Sequence, residues 1–110
     1  MNRVLSKLVE TSTPITTTAI ALYNIDTRET SYQVTITGDG AVSGQVYIEV
    51  SNDNVGWMSD VNSVFNLSGT NNVSSGFVSN VSWGYARVRV VSLTGTNVSC
   101  TVTMLSGRRL

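Results

Sequence analysis

Apolar and polar residues alternate with period two over several stretches of the chain, and the clearest run lies between Tyr85 and Met104. There Ala86, Val88 and Val90 fall on one side, and Tyr85, Arg87 and Arg89 on the other. Beyond Thr94-Gly95-Thr96, Val98, Cys100, Val102 and Met104 oppose Ser99, Thr101 and Thr103. Successive Cβ atoms of a strand point to opposite faces, so this period marks strands with one buried side. A glycine between threonines separating two such runs predicts a short turn, and the pair is expected to form a β-hairpin. A hairpin alone is marginal in water, so its apolar face calls for a second layer.

The same alternation predicts further strands upstream. Tyr32, Val34 and Ile36 oppose Gln33, Thr35 and Thr37, and Gly38-Asp39-Gly40 reads as the turn that ends them. Val46, Ile48 and Val50 oppose Gln45, Tyr47 and Glu49 before a break at Asn52–Gly56. Ile20 and Leu22 make a short apolar strand, Val61, Val64, Phe65 and Leu67 another, and Gly69–Gly76 reads as a polar turn. Phe77, Val78, Val81 and Trp83 add apolar mass. No segment has helical periodicity, so the expected fold is an all-β antiparallel β-sandwich, jelly-roll-like, of seven or eight strands. Its core is expected to hold Val46, Ile48, Val50, Val88, Val90, Val98, Val102 and both tryptophans, with Trp57 capping one end.

Residues 1–18 alternate poorly and hold the only proline, Pro14, which cannot occupy a central strand. They are expected to form an extended arm, with the sandwich domain spanning 19–110. Stretched out, the arm would reach on the order of 60 Å, enough to embrace a neighbour.

Composition sharpens this picture. A chain of 110 residues suits one domain. Only 13% of residues are charged against 41% hydrophobic, about half the charged share usual in soluble proteins, so the surface is Ser-, Thr- and Asn-rich and poorly protected against self-association. Seven basic and seven acidic residues cancel, which argues against nucleic acid or an anionic membrane as partner. The N-terminus has no signal-like apolar run and no segment reaches membrane-span length, so synthesis in the cytoplasm is expected. The Asn-x-Ser triplets at Asn66, Asn72, Asn80 and Asn97 then read as chance matches to the glycosylation pattern.

Candidate chemistry is sparse. The chain has no histidine, which excludes Ser-His and Cys-His nucleophiles and histidine metal sites. The single cysteine, Cys100, sits on an apolar strand face and reads as a buried thiol. Asp39, Asp53 and Asp60 could pair as glycosidase carboxylates, and Asn52, Asp53, Asn54 and Asp60 could ligate calcium. Asp beside Gly or Asn is nevertheless ordinary turn chemistry, so no catalytic residue, metal or cofactor is expected. Arg87 and Arg89 share an outward face, where Glu49 offers a cross-strand ion pair; a partner contact is the other reading. Arg3, Lys7 and Pro14 of the arm, Arg87 and Arg89, and Arg108 and Arg109 past the last strand are the candidate assembly residues.

The run Val46-Tyr-Ile-Glu-Val-Ser-Asn-Asp-Asn-Val-Gly-Trp57, followed by Trp83-Gly-Tyr-Ala-Arg-Val-Arg-Val-Val91, resembles small β-sandwich structural proteins of tailed-bacteriophage particles. The resemblance covers about residues 44–107 and implies a virion protein: a capsid decoration (cement) protein, or a neck, tail or fibre component. It further implies a homo-oligomer, most simply a trimer, whose partners are its own copies and the major capsid protein. Discoidin-type carbohydrate-binding domains share a similar Ser-x-Asp-Gly-x-x-Trp and Arg-Val strand; under that alternative Tyr47 or Tyr85 would stack on sugar.

Overall fold

The computed structural model describes residues 3–22, 29–59, 61–79 and 83–107. In chain order the elements are β1 (Arg3–Thr11), β2 (Ile15–Thr16), β3 (Ile20–Ala21), β4 (Glu29–Ser51), a 3-10 turn at Val61–Ser63, β5 (Val64–Ser79) and β6 (Tyr85–Gly107). Every strand pairing is antiparallel. The strands form one sheet in the order β1, β6, β4, β5, with β2 and β3 continuing along β6 beyond β1. The fold is therefore all-β and antiparallel, as the alternation requires.

What the alternation did not reveal is that three of the expected turns are bends. The run from Tyr85 to Gly107 is one strand, not a hairpin: its first half pairs with the second half of β4 (Val88 opposite Ile48) and its second half with the first half of β4 (Val102 opposite Val34). Gly38-Asp39-Gly40 likewise lies inside β4, and Gly69–Gly76 inside β5. For that reason the described residues hold six strands where seven or eight were expected. Straight strands of 23 residues would each span roughly 75 Å, yet the molecule's longest dimension is 41 Å.

The bends lie at one level across the sheet. Register shifts fall between Thr37 and Ser43 of β4 against both neighbours. Gly40 (φ 78°), Asn71 (φ 66°), Gly95 (φ 148°) and Asn97 (φ 53°) supply the left-handed backbone that glycine and asparagine tolerate best. The bends are also tied together: Asn97 Nδ2 donates to Asp39 Oδ2 at 2.7 Å, and the Gly40 amide donates to Asn71 Oδ1 at 2.9 Å. Bending brings the apolar faces of the two halves together. Val9, Tyr32, Val34, Ile36, Cys100, Val102 and Met104 come from one half; Val46, Ile48, Phe65, Ala86, Val88 and Val90 come from the other. Each fully buried aliphatic side chain contributes about 1.5–3 kcal/mol of burial. Val50, Val98 and Trp83 are half-buried against this core, whereas Trp57 is not part of it.

The N-terminal segment does not leave its own domain. β1 pairs with β6 from Arg3 opposite Gly107 to Thr11 opposite Cys100, and Val9 is buried in the core. The segment beyond follows the same edge: the Thr17 amide donates to the Val88 carbonyl at 2.9 Å, and the Val88 amide returns a bond to Thr17 Oγ1 at 3.0 Å. The arm expected over residues 1–18 is thus, from Arg3 onward, an edge of the sheet. The loose alternation in this segment has a physical cause, a bulge between Lys7 and Val9 that resets the pleat. Pro14 sits between β1 and β2, exposed, where its missing N–H costs the sheet nothing.

Candidate functional site

The outward face formed by the second half of β4 and the first half of β6 carries the densest group of charged and aromatic side chains. Val46 and Ile48 turn inward there, so Gln45, Tyr47 and Glu49 turn outward; on β6, Arg87 and Arg89 do the same beside buried Val88 and Val90. The register places Glu49 opposite Arg87 and Tyr47 opposite Arg89. Arg87 Nε donates to Glu49 Oε1 at 2.8 Å, and Arg89 Nε approaches Glu49 Oε2 at 3.8 Å. The cross-strand pair expected from the alternation is present.

Two aromatic rings complete the group. The Arg87 guanidinium lies 4.3 Å from the centroid of Trp57, and that of Arg89 lies 4.8 Å from the centroid of Tyr47. A guanidinium over a ring face gains from the ring quadrupole and is held flat. Trp57 reaches its place through a tight loop after β4. There the Asp53 carboxylate accepts the amides of Val55 and Gly56, both at 2.9 Å, and the Ser51 hydroxyl, also at 2.9 Å. These bonds hold the Asp53 carboxyl below its ordinary value, the Gly56 amide contributing most. Met58 then exchanges two backbone bonds with Val50, so the segment carrying Trp57 folds back beside the end of β4. The Ser-Asn-Asp-Asn motif therefore builds the loop that positions the ring.

Two guanidinium groups around one carboxylate leave a local surplus of one positive charge. Arg89 carries it: its side chain is 44% exposed, against 27% for Arg87, which is hydrogen-bonded to the carboxylate. The face can hold a carboxylate or another compact anion of a partner.

The other candidate residues are not brought to this face. Lys7 pairs with Glu10 at 2.7 Å on the exposed β1 edge, and the Arg3 backbone pairs with Gly107 at the far end of β6. Pro14 lies between, and Arg108 and Arg109 fall outside the described residues. Of the suggested carboxylates, Asp39 is tied into the bend by Asn97 and Asp53 is engaged in its own loop, while Asp60 lies outside the described residues. The parts played by Trp57 and Tyr47 escaped the alternation, although Tyr47 and Arg89 stand outward on strands of matching character.

No family profile and no curated protein sequence matches this chain. Solved structures do. The crystal structure of the SPBc2 prophage-derived protein YomS superposes with a TM-score of 0.66 at 14% identity, over 96% of this chain and 92% of that one. The two share a fold.

Proposed function

We propose that the chain is a structural protein of a tailed-phage particle, a capsid decoration protein that binds the outside of the head shell and works in the virion. The observation that carries this reading is the fold it shares, over nearly its whole length, with a prophage-derived protein. The Val46–Trp57 and Trp83–Val91 runs support it independently by their resemblance to phage structural proteins. The charge-poor surface suits a protein that works while packed against others. In this reading the Glu49–Arg87–Arg89 face meets the major capsid protein, with Arg89 receiving an acidic side chain.

The carbohydrate-binding alternative draws no support from Tyr47. One face of its ring is already covered by the guanidinium of Arg89, as one face of Trp57 is by that of Arg87. The test is composition: particles recovered by density gradient from the lysate of a strain carrying the gene should contain the chain at a fixed ratio to the major capsid protein. They should lose it when Arg89→Glu replaces the native residue. Particles free of the chain would overturn the reading.

A further inference from the structure

The two edges of the sheet are built differently. The β1–β3 edge is guarded by the exposed Lys7–Glu10 pair, a bulge at Lys7/Val9 and Pro14, the devices by which sheets discourage edge-to-edge pairing. The opposite edge is β5, which among the described residues pairs with β4 alone. Its 16 residues, Val64 to Ser79, include no charged side chain and no proline. Beyond its bend at Asn71, the second half of β5 has one open edge with neither charge nor proline, and such an edge is a template for another strand.

The sequence of its second half indicates which strand. Val73, Ser75 and Phe77 lie opposite the inward residues Ile36, Val34 and Tyr32 of β4. Val73 and Phe77 are half-buried against the core, and Ser75 is exposed. Read from Ser75 in either direction, this inner face is apolar, serine, apolar. In an antiparallel pair, directly opposite residues share a face. A twofold axis at Ser75 would therefore set Val73 against Phe77 of the second copy twice, and Ser75 against its twin. A serine hydroxyl both donates and accepts, so two can pair with each other. A charged residue near such an axis would meet its own sign; β5 has none.

We propose that β5 pairs antiparallel with β5 of a second copy about a twofold axis through Ser75, continuing the sheet across a dimer. The inference does not depend on the virion role. It differs from the trimer expected from the sequence: of the features behind that expectation, the arm from residue 3 to 11 lies on its own sheet, while the charge-poor surface and unguarded edge serve a dimer equally well.

The experiment is mass in solution by sedimentation equilibrium over a concentration series. The wild-type mass should climb from 11.8 kDa to twice that value. Ser75→Lys and Ser75→Glu should each stay at one chain and melt where the wild type does at dilutions that leave it monomeric, and an equimolar mixture of the two should regain the two-chain mass. Independently, Ser75→Cys treated with a short bismaleimide should give a linked dimer, Glu10→Cys should not, and Cys100 is buried away from the reagent. A wild type that stays at one chain up to its solubility limit, or settles at three, overturns the proposal. So do a Ser75→Lys variant that associates like wild type, a mixture that stays monomeric, and linkage at Glu10→Cys in place of Ser75→Cys.

Discussion

Ile36 packs directly on Gly44: a Cβ at Gly44 would lie 2.8 Å from Ile36 Cδ1 and 2.8 Å from the Ser92 carbonyl oxygen. Eight residues apart on a straight strand, the two would be separated by roughly 26 Å. The contact exists because β4 folds over, and it leaves no room for a side chain. Gly44→Ala should therefore destabilise the fold by about 1–3 kcal/mol through overpacking, as measured by denaturant unfolding. Gly40→Ala, with nothing within 4 Å but φ at 78°, should cost less, about 1 kcal/mol of backbone strain.

Glu49 holds the two arginines of the outer face. Glu49→Gln leaves Arg87 and Arg89 adjacent without a counter-charge and should cost about 1–2 kcal/mol, the pair being only partly buried. A double-mutant cycle with Arg87→Gln should return a coupling energy near 1 kcal/mol that shrinks in high salt. A coupling of zero would mean that Trp57 alone positions Arg87.

Acid stability should depend on Asp53. Its folded carboxyl titrates below the ordinary value of 3.8, so the unfolded chain takes up a proton at higher pH than the folded one. The resulting stabilisation is complete above the unfolded value and is lost as pH falls through the lower, folded value. Asp53→Asn should flatten the decline of stability below about pH 4 while lowering stability at neutral pH. At the alkaline end, burial pushes Tyr32 up to about 12 and Cys100 up to about 11. Stability should therefore fall as pH rises past their ordinary values of 10 and 9.

Removing residues 2–11 tests the place of β1. The deletion takes away Val9 and exposes the β6 edge from Cys100 to Gly107. Cooperative melting should be lost or shifted sharply down, whereas an independent arm would leave it unchanged.

The faces of the strands were legible in the sequence, and their connections were not. Val34 and Ile36, Val46 and Ile48, Val88 and Val90, and Cys100 and Val102 were all assigned inward by alternation and are all buried. The Glu49–Arg87 pair followed from the same parity. Alternation reports which side a residue faces, a local property of the pleat. Whether Gly95 reverses the chain or bends it is decided elsewhere, by β4, whose two halves pair with the two halves of β6. Glycine and asparagine at positive φ serve a hairpin and a bend equally well, and the choice is made by the neighbouring strand. Trp57 was misassigned to the core for a similar reason: its ring is placed by the Asp53 loop and by an arginine 30 residues further along the chain.

The pairing of β1 with β6 also sets the order of events during synthesis. Arg3 meets Gly107 and Thr11 meets Cys100, so β1 cannot take its place until β6, about 90 residues later, has been made. β4 waits as well, since both its halves lie against β6. The β4–β5 pair is complete within residues 30–79, but the sheet closes only when β6 supplies the partner of β1 and of both halves of β4. Contacts this distant in sequence place it among slow folders, on the order of milliseconds to seconds. During that interval β5, which carries no charged side chain, is open to strands of neighbouring copies.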